Sequence, residues 1–140
     1  FVSGSKFDRL LRVEEDHVSV AARVPGGTHN ARPLEDGRII ANDTLEDRIA
    51  LLKPDGTLIQ EFRIPTYDEE NLEWNDIPKD HARPSFGRGL CVTDDELIIG
   101  GSSPATISVY RRGEPEPERT VNLTMDVRNS IHGLEVWPYE

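Results

Sequence analysis

The sequence predicts an all-β chain of about three four-stranded repeats, and three observations predict it. Stacking THNARPLEDGRIIANDTLEDRIALLKPDGTLIQEFRIP from Thr28, FGRGLCVTDDELIIGGSSPATISVYRRGEPEPERTVNLT from Phe86 and NSIHGLEVWPYE from Asn129 shows one pattern returning. Within each full unit, short apolar runs are separated by turn-forming Gly, Pro and Asp, which is strand and hairpin punctuation. No stretch carries an apolar period of 3.6, so helix is expected nowhere outside residues 66–85. Repetition at roughly 40 residues with four short strands per unit is a β-propeller signature. The fold class predicted is therefore a β-propeller segment, one domain over residues 1–140.

Residues 1–27 read as the end of a split blade, because Val2-Ser3-Gly4-Ser5 falls where Ile40-Ala41-Asn42-Asp43 and Ile99-Gly100-Gly101-Ser102 fall in the full units. Residues 28–65 form the first full blade. Its Ile39-Ile40-Ala41 run suits a strand covered on both faces, and Ile49 and Leu51 alternate with period two. Asp36-Gly37 and Asp55-Gly56 are hairpin turns, where Gly accepts the positive φ that tight turns need. Residues 66–85 are a long acidic loop, and connections of that length are uncommon in a compact domain and are often functional. Residues 86–124 repeat the blade, with Leu97-Ile98-Ile99-Gly100 as the buried run and Gly113 to Glu118 as a proline-broken acidic turn. Residues 129–140 read as the first strand of the split blade, with Leu134 and Val136 on one face and Glu135 and Trp137 on the other, packed between blades.

Three blades cannot close a ring, and each end would expose an apolar face. The expected partner is a second copy, giving a homo-oligomeric dimer of six blades, or the remainder of a longer chain. A lone monomer is expected to be unstable.

Residues 33–58, PLEDGRIIANDTLEDRIALLKPDGTL, resemble one blade of the NHL and SMP-30/gluconolactonase type of six-bladed propeller. The match lies in the proline, the first Asp-Gly, a buried strand ending in Asp43-Thr44, Arg48-Ile49 and the second Asp-Gly; the other units carry Ser102-Ser103 and Ser5-Lys6 at the Asp-Thr position. The resemblance implies the strand skeleton and, for its lactonase members, a metal-dependent hydrolase using Glu, Asn and Asp. Asn30 lies near a channel position, whereas Asp43 reads as a turn residue whose carboxylate bonds backbone N–H groups.

With 16 Lys and Arg against 26 Asp and Glu the formal charge is −10, which argues against nucleic acid or an anionic membrane as a non-specific partner. Cys91, the single cysteine, sits in an apolar strand and reads as a core thiol. No apolar run approaches 18 residues, and a cytoplasmic location is expected.

Propeller chemistry belongs where the innermost strands begin. Thr28-His29-Asn30, Gly87-Arg88-Gly89 and Ile131-His132-Gly133 occupy that place in the three units, so His29, Arg88 and His132 recur at one channel mouth. An anionic or sugar-like small molecule is one expected ligand, with Arg88 making a bidentate contact and the histidines donating hydrogen bonds. One divalent metal ion held by His29 and His132 is the other, serving a hydrolase or lyase with bound water as nucleophile. Trp74 of the long loop could stack on a sugar ring, and Arg128, beside Asp126 and Asn129, also lies at the mouth, where its alternative role is an ion pair with Asp126 or the acidic loop. A third reading makes the 66–85 loop the contact of a protein-interaction scaffold. His17 and His81 have no partner spacing that implies a metal.

Overall fold

The computed structural model describes residues 1–4, 6–79 and 83–137; Ser5, His81 and the last three residues of the expected C-terminal strand lie outside the described residues. The fold is all-β, with three antiparallel sheets and a single 3-10 turn, Glu69–Asn71, among the described residues. No helix there is long and apolar enough to cross a membrane.

A hairpin comes first, β1 (Arg9–Glu14) with β2 (His17–Arg23), and Val2 bridges to Leu11 on its outer edge. The next sheet runs β3 (Thr28–Pro33), β4 (Ile39–Asp43), β5 (Arg48–Leu52) and β6 (Leu58–Arg63), in that spatial order. The last repeats it with β7 (Gly89–Val92), β8 (Ile98–Ser102), β9 (Thr106–Tyr110) and β10 (Arg119–Asn122). Every residue of β4 is buried, as its unbroken apolar run demands of a strand covered on both faces. Gly37 and Gly56 take φ of 80° and 90° in the β3–β4 and β5–β6 turns, a conformation that would strain a side chain.

The sheets stack face to face, and two apolar layers hold the stack. Leu10, Ala22 and Val24 pack against Ile39, Ala41, Ala50 and Leu52, joining the hairpin to one face of β3–β6. On the other face Ile40, Ile49, Leu51, Phe62 and Ile64 meet Leu90, Ile98 and Tyr110 of β7–β10. Adjacent strand residues point to opposite faces, which is why Ile39 and Ile40 serve different layers. Gly100 permits the close fit, since a Cβ there would lie 2.6 Å from the Ile49 Cδ1.

One hydroxyl follows each second strand of the two full sheets and reaches into the next segment. Thr44 donates to the Gly87 carbonyl at 2.9 Å, and Ser103 donates to the Val127 carbonyl at 2.5 Å. Asn42 adds a bond from its side-chain amide to the Gly89 carbonyl at 3.0 Å.

Three expectations need correction. Residues 129–137 form no strand; the Gly89 N–H donates to Ile131 O, the Ile131 N–H donates to Ser102 O, and the segment lies against β7 and β8 instead of pairing with Val2. Gly89 and Gly101 make room for it, because a Cβ at either would come within 3 Å of the Ile131 carbonyl oxygen. Trp137 is 77% exposed and is not packed between sheets. The Asp43 carboxylate is bonded by the Arg48 guanidinium, Nε to Oδ2 at 3.0 Å, so a cation holds it in place of turn N–H groups.

Candidate functional site

The first residues of β3 and β7 and the start of the C-terminal segment meet at one edge of the stack. β3 opens with a bulge: Thr28 pairs with Asp43 and Ala31 with Ala41, so three steps on β3 match two on β4. The extra residue falls at His29-Asn30, and a bulge re-aims side chains. His29 thereby reaches the Phe86 ring edge-on, with centroids 5.6 Å apart and an interplanar angle of 72°.

Phe86 is the hub of the site. The Arg88 guanidinium carbon stands 4.4 Å from the ring centroid and that of Arg83 stands 5.1 Å away, both cation–π contacts. Arg83 has an anion partner, its Nη1 lying 2.5 Å from an Asp47 oxygen. Arg88 has no carboxylate partner among the described residues, and its Nε is buried without an acceptor. Burial pushes the Arg88 pKa below its ordinary value. His29 is held below 6.5 by partial burial first, and then by the charges of Arg88 and His132. His29, Arg88 and His132 are thus close enough to feel one another.

Arg88 and His132 line a cavity of about 30 Å³ with Phe86, Ser103, Val127, Arg128 and Ser130. Ser130 Oγ is buried there without a partner. A cavity of that size admits a group no larger than a carboxylate head or a small ion.

Arg128 presents the opposite electrostatic case. Its Nε lies 2.9 and 3.1 Å from the two Asp126 oxygens and its Nη2 lies 2.6 Å from Oδ2, a bidentate pair. That bonding draws the Asp126 carboxyl below its ordinary pKa and raises Arg128. The Trp74 ring covers the guanidinium at 4.1 Å, with Trp74 itself at φ 60° and 54% exposed. Glu73 fixes the long loop here: its N–H donates to Met125 O and its carbonyl accepts from the Val127 N–H.

The structure therefore brings His29, Arg88 and His132 together, and it places Arg128, stacked under Trp74, in the lining of the same cavity. Asn30 shares the bulge with His29 and makes no side-chain hydrogen bond among the described residues. Two imidazoles beside one guanidinium are a poor cation cage, and among the described residues no group of three or more His, Cys, Asp and Glu could hold a metal. Sequence reasoning passed over Phe86, Ser103 and Ser130. The signal for Phe86 was its spacing, two residues before Arg88 and just ahead of a glycine. No family model, curated protein or solved structure matches the chain.

Proposed function

We propose that the chain is a β-propeller segment acting as a binding module, and that it takes a small anionic ligand, a carboxylate or sugar acid, at the Arg88 cavity. The single observation that carries the ligand reading is Arg88 itself. Its charge is half-buried on Phe86, flanked by His29 and His132, and unneutralised, in a chain of formal charge −10. A desolvated cation without a counter-ion is costly, and an anion would recover that cost through charge-assisted hydrogen bonds. Arg128 is already saturated by Asp126, so it shapes the site and leaves Arg88 to receive the ligand.

The propeller reading is supported by the matching order of the two four-stranded sheets and by the repeated hydroxyl contacts of Thr44 and Ser103. Arg32 of β3 also donates to Leu90 O at 3.4 Å and reaches Glu135 at 3.3 Å, so the edge strands and the C-terminal segment adjoin as inner strands of a propeller would.

Calorimetric titration with phosphate and with glucuronate tests the ligand reading. Saturable binding of either is expected in the wild type, weakened roughly tenfold in Arg88→Lys, which lacks the planar fork, and lost in Arg88→Ala. Affinity for glucuronate, whose carboxylate stays ionised throughout, should rise as pH falls from 7.5 toward 5.5, because a bound anion favours protonated His29, and His29→Ala should flatten that rise. Unchanged binding in Arg88→Ala, or no binding by the wild type, refutes the site.

A further inference from the structure

The two ends of the stack each leave a sheet face at least partly uncovered. On the hairpin, Leu10 and Ala22 face β3–β6, so Leu11 and Val13 point away from it, joined by Val18 and Val20 across the ladder. Val2 bridges to Leu11 and extends the same face. Val13, Val18 and Val20 are 52, 56 and 60% exposed. At the other end, Ile98 and Tyr110 of β7–β10 face the core, which turns Ile99, Val109, Ile107 and Val121 outward in the register pairs Ile99–Val109 and Ile107–Val121, the first three part-buried and Val121 56% exposed. The C-terminal segment covers only the inner edge of that face, with Ile131 over Gly101 and Leu134 over Gly89.

We infer that these two faces dock on each other between two copies of this chain, head to tail. Such docking continues the contacts already made within the chain. Each buried layer joins the later-facing side of one sheet to the earlier-facing side of the next: hairpin to β3–β6, then β3–β6 to β7–β10. The two bare faces are one of each kind, the earlier-facing side of the hairpin and the later-facing side of β7–β10. A second copy supplies both complements at once, and a twofold pair uses both. Contiguous exposed apolar faces mark interaction surfaces. The inference rests on the stacked-repeat reading and is independent of the anion site, which titration of Arg88 variants tests separately.

Light scattering on the full chain reads the outcome as mass. The wild type should give twice 15.8 kDa, and Val18→Asp/Val20→Asp or Ile107→Asp/Val121→Asp should each give 15.8 kDa. Mixing the two variants should restore a dimer, because one intact head-to-tail contact then forms; a contact between identical faces would not be restored this way. A wild-type monomer at all concentrations, or no recovery on mixing folded variants, overturns the proposal. If a variant does not fold, Val18→Cys and Val121→Cys chains decide the matter with a short bis-maleimide. Cys91 is buried and does not compete. Cross-linking in the mixture but in neither chain alone supports docking, and equal cross-linking in all three overturns it.

Discussion

The two apolar layers of the stack differ in kind. The layer between the full sheets contains Phe62 and Tyr110, packed edge to face at 5.7 Å and 64°, within six large aliphatic side chains. The layer under the hairpin has no aromatic ring and depends on Ala22, Ala41 and Ala50 around Leu10 and Leu52. Aromatic side chains bury more area and hold a fixed angle, whereas small ones let backbones approach with little interlocking. The lesson is that the two full sheets form the rigid unit and the hairpin is the more readily displaced.

Urea denaturation puts numbers on this contrast. Phe62→Ala should show the largest loss, about 3–5 kcal/mol, because sheets on both sides hold the cavity open. Leu10→Ala should cost about 2 kcal/mol, the low end for such a truncation, since a two-stranded hairpin can settle into the gap. Equal costs would break the comparison. The smallest effect belongs to Tyr110→Phe, about 1 kcal/mol, from losing the hydroxyl's bond to the Arg63 carbonyl at 2.9 Å.

The same residue gives a pH signature. Burial pushes the Tyr110 hydroxyl up to about 12, against 10.0 ordinarily. The unfolded chain therefore releases this proton first as pH climbs, and stability should fall between about pH 10 and 12. Tyr110→Phe should lack that part of the alkaline loss.

Local signals carried most of the strand reading. Ile39-Ile40-Ala41 could be read as doubly covered because a strand in one register must satisfy two faces, and the Asp-Gly turns could be read because only glycine takes their φ cheaply. The C-terminal segment could not be read in the same way. Its alternation suits a strand, but strand status depends on a partner for its N–H groups, and within one chain that partner lies at the opposite end of the stack. At the site, His29, Arg88 and His132 were legible as a recurring position. The Arg128–Asp126 pair was legible too, from a spacing of two residues, whereas the lack of a carboxylate beside Arg88 was not, because it depends on where Phe86 lies in space.

Thr44 and Ser103 carry one further consequence. Each spans from the end of one second strand to the carbonyl of the following segment, near one edge of the stack, while the apolar layers lie further across. Of the two, the Thr44 contact leads from one four-stranded sheet to the approach of the next, so β3–β6 and β7–β10 are tied at an edge by one hydrogen bond as well as across their faces by side chains. Truncating a core residue such as Phe62 therefore leaves a void bridged from the edge, which slows the sheets from closing over it.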